Sequence, residues 1–167
     1  MKTLLILLFL YLIPQTSGHY ELLVEIRMSL DSRFPEWQWG RVAQEIKRFH
    51  KEMYGVDYPL FIVGDFNGDN KDDYAMKLTI LSDGGMQDIA VAFVSSDSTF
   101  SYHVLSQRKS SYEVYMFLQP RGKQYYDFEA DEQSIFSHDA IGMYVFEKAG
   151  GTFIFKNGKF EVVHTSD

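Results

Sequence analysis

The stretch LFIVGDFNGDNKDDYAMKLTIL, residues 60–81, decides what architecture this chain of 167 residues can have. An apolar run, Leu60 to Val63, leads into a polar loop, and an alternating run, Tyr74 to Leu81, leads out of it. One side of the second run carries Ala75, Lys77 and Thr79, and the other carries Tyr74, Met76, Leu78 and Ile80. Because alternation with a period of two is typical of a strand, the stretch predicts two strands that flank the loop.

Further strands are expected downstream, separated by turn residues. They lie at 88–95, 100–105, 112–118, 140–147, 152–156 and 159–163. The last two flank Asn157 and Gly158, and both central residues of a type I′ turn need the positive φ that Asn and Gly accept at low cost. We therefore predict a C-terminal hairpin, with the 140–147 strand beside its first strand.

Helical periodicity is clearest at residues 35–54, where apolar side chains recur at three- and four-residue steps and Gly55 suits a C-terminal cap. The recurring side chains are Trp39, Val42, Ile46, Phe49 and Met53. Between Leu22 and Leu30 every even position is apolar, which favours a strand, although Leu22, Ile26 and Leu30 also fit one face of a helix. The whole pattern predicts an α+β fold, with an N-terminal helix packed on an antiparallel β-meander.

The first residues have the pattern of an export signal. Lys2 supplies a positive start, ten apolar residues run from Leu4 to Ile13, and Thr16-Ser17-Gly18 offers small residues for cleavage. Ten residues are too few for a membrane span, which needs about 20. We expect a signal peptide at residues 1–18, a single domain at residues 19–167 and a secreted or periplasmic location without a membrane anchor.

Composition excludes several classes of function. The chain has 16 Lys and Arg against 23 Asp and Glu, and loss of Lys2 with the signal would leave a net charge of 15 − 23 = −8. That balance argues against nucleic acid or an anionic membrane surface as a partner. The chain contains no cysteine, which excludes a disulfide framework and thiol catalysis.

The loop at 65–73 is the part of the sequence with readable chemistry. Oxygen-bearing side chains occupy alternate places at Asp65, Asn67, Asp69 and Asp73. At the remaining alternate place, Lys71 would contribute the oxygen of its backbone carbonyl. Ca²⁺ takes about 6–8 oxygen ligands, and a short loop can supply them by wrapping around the ion. An EF-hand would need a Glu at the twelfth place and helices on both sides, but that place holds Met76 and both flanks indicate strands.

Residues 64–75, GDFNGDNKDDYA, resemble the core motif of FG-GAP and VCBS-type repeats, which are calcium-binding hairpin loops found in β-propellers and in secreted bacterial proteins. The resemblance implies calcium ligation by Asp65, Asn67, Asp69, Asp73 and the Lys71 carbonyl. The glycine usual at the sixth place is Asn70, and the motif occurs once, so a propeller is not implied. The remainder is similar to small exported bacterial proteins that pair one such loop with a compact sheet. The alternative is an acidic surface turn without a metal.

No catalytic motif stands out. The histidines fit no metalloenzyme pattern, and His138-Asp139 is expected to be a surface pair. Glu129, Asp131 and Glu132 are either glycosidase carboxylates or an exposed acidic loop. Aromatic residues crowd one region and suggest a recognition patch, namely Tyr112, Tyr115, Phe117, Tyr125, Tyr126 and Phe128.

We therefore expect an exported, non-catalytic, calcium-binding domain with a structural role or a protein or glycan ligand. The alternatives are a secreted hydrolase that acts on an extracellular polymer and an inhibitor of a secreted enzyme.

Overall fold

The computed structural model of the chain describes residues 22–148 and 150–166, which form two helices and eleven strands. The helices are α1 Val24–Arg33 and α2 Gln44–Tyr54. The strands are β1 Gln38–Trp39, β2 Phe61–Gly64, β3 Asp73–Ser82, β4 Gly85–Ser96, β5 Thr99–Lys109, β6 Val114–Gln119, β7 Gln124–Asp127, β8 Glu132–Ile135, β9 Ala140–Val145, β10 Gly150–Lys156 and β11 Lys159–Ser166. The predicted signal peptide at 1–18 lies outside the described residues. Neither described helix is long and apolar enough to cross a membrane.

The fold is predominantly antiparallel β, so the predicted α+β class, a helix packed on a meander, is wrong. Strands make up 51% of the described residues and helices 15%. The physical reason is that two sheets bury one another, and each helix is a short addition to an outer face rather than a layer of its own.

Two sheets carry the structure. Sheet A contains β1 to β5, with β3, β4 and β5 as antiparallel neighbours, while β1 and β2 share the other edge of β3. Sheet B is antiparallel in the order β11-β10-β9-β6, and β7 and β8 form a separate two-stranded ribbon. This arrangement places the loop at 65–72 at one end of sheet A, between β2 and β3.

The alternation in β3 sorts its side chains between two cores. Ala75 joins Ala90 and Ala92 of β4 in a core that packs against sheet B. The opposite face of β3 and β4 meets α1 in a second core, which contains Ile26, Leu30, Tyr74, Met76, Leu78, Ile89, Val91 and Phe93. Because sheet A is covered on both faces, the middle of β3 and β4 is almost entirely buried.

The strand favoured at residues 22–30 is wrong, since this segment is α1. Ile26 and Leu30 are buried, one helical turn apart, whereas Val24 is 73% exposed and Met28 66% exposed. A strand would have placed all four on one face. The helical face noted as the alternative is therefore the one that packs on sheet A.

The helix predicted at 35–54 exists only in its second half, as α2. Glu36 has a positive φ of 64°, and Trp39 lies in β1, where its ring stacks on Phe61. A side chain at Gly40 would come within 2.5 Å of the Lys77 Cγ atom, so this glycine allows β1 to lie against β3. The predicted cap at Gly55 is confirmed, with a φ of 73°.

The C-terminal hairpin is confirmed. Phe155 pairs with Phe160 and Lys156 with Lys159, and the turn residues Asn157 and Gly158 have φ values of 51° and 80°. β9 lies beside β10, as predicted. Every other strand predicted from residue 60 onward overlaps an observed one, whereas the β7–β8 ribbon was not predicted.

Candidate functional site

The loop at 65–72 connects two paired strands, because Gly64 at the end of β2 lies opposite Asp73 at the start of β3. The two strands predicted on either side of the loop are therefore confirmed, and they pair as a hairpin. Gly68 and Asn70 both have positive φ, 81° and 61°, and they give the loop its tight curvature. Phe66 is fully buried in the core between the sheets and ties the loop to it.

The side chains at alternate places turn toward the backbone of the loop. The two carboxylate oxygens of Asp65 accept N–H bonds from Gly68 at 2.7 Å and from Asn70 at 3.0 Å. The Asn67 Oδ1 accepts the N–H of Asp69 at 2.9 Å, and the Asp69 Oδ1 accepts the N–H of Lys71 at 3.0 Å. The Lys71 ammonium lies 3.7 Å from the other oxygen of Asp69.

The Asn67 amide is held from both ends. Its Nδ2 donates to the Ser95 carbonyl of β4 at 2.9 Å, so its Oδ1 faces the N–H of Asp69 within the loop. This contact joins the loop to the second strand along in sheet A, and it fixes which end of the amide offers an acceptor.

Asp73 has a structural role that the sequence did not predict. The side chain is fully buried, and its carboxylate accepts four hydrogen bonds. Phe66 and Asn67 donate their N–H groups to Oδ2 at 2.7 and 3.3 Å, while Ser95 donates its N–H and its hydroxyl to Oδ1 at 2.7 and 2.8 Å. Burial raises the pKa of this carboxyl, and the four donors oppose that shift.

The segment just before β9 holds the loop from the other side through Asp139. The Asp139 carboxylate accepts the N–H of Asp65 at 3.0 Å and that of Arg121 at 2.8 Å, and the Asp139 N–H donates to the Asp65 carbonyl. His138 Nε2 donates instead to the Phe155 carbonyl of β10 at 2.9 Å. Asp139 therefore positions the loop, and its carboxylate does not bond to the His138 ring as in a catalytic dyad.

The donor set suits a hard cation. Asp65, Asn67, Asp69 and Asp73 offer carboxylate and amide oxygens, and no histidine or cysteine belongs to the set. The side-chain oxygens of Asp65, Asn67 and Asp69 accept N–H groups of the loop backbone. The Asp73 oxygens accept hydrogen bonds from Phe66, Asn67 and Ser95. Within residues 22–148 and 150–166, no three acidic or histidine side chains gather into a metal-binding group by themselves. The ligand assignment remains a prediction.

The other sequence-based candidates are dispersed. Tyr125 stacks on Phe136 in a small core, Tyr115 and Phe117 pack on the outer face of β6, and Tyr126 and Phe128 lie together on the β7–β8 ribbon. The carboxylates proposed for a glycosidase lie in or beside the β7–β8 turn: Glu129 contacts His164, Asp131 accepts the Tyr126 hydroxyl, and Glu132 starts β8. The expected aromatic patch is therefore divided among several surfaces.

A buried ion pair was missed by sequence reasoning. The Lys77 ammonium lies 3.0 Å from the Asp88 carboxylate, and it also donates to the carbonyls of Arg41, Ser111 and Val114 at 2.7 to 3.1 Å. Asp88 accepts further bonds from Thr79, Ser110 and Ser111. The signal available in the sequence was a lysine among apolar neighbours in a strand that is otherwise buried.

The chain was compared with models of known protein families, with curated proteins and with solved structures, and no match was found in any of the three. Function must therefore be argued from the geometry of the loop and of the surfaces around it.

Proposed function

We propose that this chain is an exported, non-catalytic domain whose loop at 65–73 binds Ca²⁺, and that the ion stabilises the molecule for a structural role or for binding a protein or glycan. One observation carries the proposal. The side chains of Asp65, Asn67 and Asp69 all turn back toward the loop backbone, and their hydrogen bonds to loop N–H groups orient the oxygens at alternate places. Oxygen ligands that are already oriented lose less conformational entropy when the ion binds, so the entropic cost of binding is lower.

Charge supports the same proposal. The nine residues from Asp65 to Asp73 include four aspartates and one lysine, and a divalent cation would offset the repulsion among the carboxylates. The ion would be held by Asp65, Asn67, Asp69, the Lys71 carbonyl and Asp73. Extracellular modules bind Ca²⁺ with Kd values of about 10⁻⁴–10⁻³ M, which suits a structural ion.

Asp73 would take part by exchanging one of its hydrogen bonds. Its two oxygens offer about four lone-pair directions, and four donors already use them. The bond from the Asn67 N–H is the longest of the four, at 3.3 Å, so it is the one we expect an ion to replace. The remaining three would keep the carboxylate in place.

The test is a calorimetric titration of the protein with CaCl₂, together with thermal melting in calcium and in EDTA. We expect one binding site. At a calcium concentration of about 100 Kd the ion adds about 2.7 kcal/mol, which raises the Tm by about 5–10 °C. The same titration with MgCl₂ should show weaker binding, because Mg²⁺ demands a smaller octahedral site.

Two isosteric variants sharpen this test. Asp69→Asn removes a predicted ligand charge but keeps an amide oxygen, so it should remove most of the difference in Tm between calcium and EDTA. Asp72→Asn removes an exposed charge from the same loop that is not a predicted ligand, and it should keep most of that difference. Equal differences in Asp69→Asn and Asp72→Asn would contradict the ligand assignment, and wild-type protein without calcium-binding heat would refute the proposal.

A further inference from the structure

A groove of about 450 Å³ lies between three segments of the chain. The first segment contributes lining residues between Trp39 and Lys47, the second contributes residues 58–60, and the third contributes Tyr112. Pockets for small organic ligands commonly measure about 300–1,000 Å³ and combine apolar walls with a few polar groups. The size and lining of this groove agree with that description.

The walls of the groove are fixed from behind by buried polar contacts. The Lys77 ammonium donates to the Arg41 and Ser111 carbonyls, each at 2.7 Å, and Ala43 donates its N–H to the Tyr112 carbonyl at 2.8 Å. The Tyr58 hydroxyl donates to the Met116 carbonyl at 3.1 Å and accepts the Met116 N–H at 2.9 Å. Each of the three segments is therefore anchored by contacts within the protein itself.

The charge of the groove is opposite to that of the chain. Its eleven lining residues include Arg41 and Lys47 and no acidic residue, although the chain as a whole has a net charge of −7. Neither cation forms a salt bridge with an acidic side chain in the part of the chain that the structure describes. Gln44, the first residue of α2, also lines the groove, and the N-terminus of the helix adds to the positive potential.

Apolar surface stands open beside these charges. Leu60 is 57% exposed and Tyr112 is 56% exposed, and both line the groove. A ligand that covered these two side chains would remove apolar area from water while its charge met Arg41 and Lys47.

We propose that this groove binds a small organic anion, a molecule with one carboxylate or sulfonate group on an aromatic or aliphatic body. The anionic group lies near Arg41 and Lys47, and the body packs against Trp39, Leu60 and Tyr112. This site is separate from the calcium loop, because none of the groove residues belongs to 65–73 and none of the contacts that hold its walls involves that loop.

The probe for the test is anilinonaphthalenesulfonate (ANS), an aromatic sulfonate that fluoresces when it leaves water. The protein is titrated with ANS in EDTA, so that the outcome does not depend on calcium. We expect saturable binding of one ANS per chain. The amide NMR signals of Gly40, Val42, Ala43 and Tyr112 should shift, and those of residues 65–73 should not.

Charge reversal tests the anionic part of the proposal. The double variant Arg41→Glu, Lys47→Glu should raise the Kd for ANS by about tenfold or more, because it replaces two attractive charges with repulsive ones. The matched control is Lys109→Glu, Lys156→Glu, which changes the net charge equally at two exposed sites outside the groove and should leave the Kd within about twofold. Phenylnaphthylamine, which lacks the sulfonate, should respond to neither double variant.

The apolar part of the proposal is tested by Leu60→Ser, which should weaken the binding of both dyes. The control is Leu81→Ser, which changes an exposed leucine on β3 outside the groove and should weaken the binding of neither dye. If the charge-reversed protein does not fold, Arg41→Gln, Lys47→Gln replaces it. The proposal is overturned if ANS shows no saturable binding, if both double variants weaken it equally, or if the shifted NMR signals lie outside the groove.

Discussion

Lys77 and Asp88 lie diagonally across neighbouring strands of sheet A, where Lys77 pairs with Ala90 and Asp88 with Thr79. The ammonium nitrogen lies 3.0 Å from a carboxylate oxygen, and the exposed fractions of the two side chains are only 6% and 4%. Removing one charge of such a pair leaves the other buried without compensation. Because the Lys77 ammonium also holds the Arg41 and Ser111 carbonyls, this pair links the interior of sheet A to the walls of the groove.

Asp88→Asn should therefore lower the free energy of unfolding by about 3–5 kcal/mol. The matched control is Glu113→Gln, which breaks the exposed pair with Lys148 and should cost about 1 kcal/mol or less. Urea unfolding of the three proteins measures both effects. Equal costs for the two variants would show that the buried pair does not contribute as we infer.

The contacts of Asp73 predict a loss of stability that does not require calcium. Asp73→Asn replaces an acceptor oxygen with an amide group, which then faces N–H donors, and we expect it to cost about 2–4 kcal/mol in EDTA. Asp69→Asn should cost far less under the same conditions, since Asp69 is on the surface of the loop. If both variants melt at the wild-type temperature in EDTA, the hydrogen bonds between Asp73 and Ser95 are not formed in solution.

The sequence could predict those features of the loop that depend on residues close together in the chain. The hairpin, its turn residues and the alternation of oxygens lie within nine positions, and they were predictable. The partners that fix the loop were not, because Ser95 lies 22 residues beyond Asp73 and Asp139 lies 74 residues beyond Asp65. Such contacts depend on how β3 packs beside β4 and how sheet B meets sheet A.

The same distinction explains the errors in the fold. The spacing of Ile26 and Leu30 fits both a helix and a strand over so short a segment, and only the apolar face of sheet A decides between them. Trp39 fits the helical period that continues through α2, but its packing against Phe61 of β2 draws it into β1. By contrast, Asn157 and Gly158 specify their turn without help from distant residues.

His103 predicts how stability depends on pH. Its ring packs against Phe155 and Phe160, its Nε2 contacts the Ser101 hydroxyl, and burial lowers its pKa below the usual 6.5. The unfolded chain then binds the proton more readily than the folded one. Stability is therefore lost as the pH falls from the ordinary histidine pKa through the lowered value.

His103→Gln should reduce this loss between about pH 7.5 and about pH 5.5. Unfolding midpoints in urea at the two pH values give the comparison. An unchanged pH dependence in His103→Gln would show that another group is responsible.

The turn at Gly158 predicts a purely conformational cost. Its φ is 80°, and a Cβ atom there would meet nothing within 4 Å, so Gly158→Ala should lower stability by about 1–2 kcal/mol through backbone strain alone. Gly84→Ala is the control, because Gly84 has no positive φ and its nearest neighbour would be 3.7 Å away. If the two alanine variants have equal stability, the type I′ turn is not the dominant conformation.

The covering of sheet A by α1 has a consequence for biosynthesis. The helix is made before the strands that receive it, so Ile26 and Leu30 have no docking surface until β4 has left the ribosome. A nascent chain that ends before β4 exposes Ile26 and Leu30 of α1 to solvent. A chain that lacks α1 exposes the apolar face of sheet A that these two residues cover. Either fragment would be a natural client for chaperones, and only the continuous polypeptide hides both surfaces from one another.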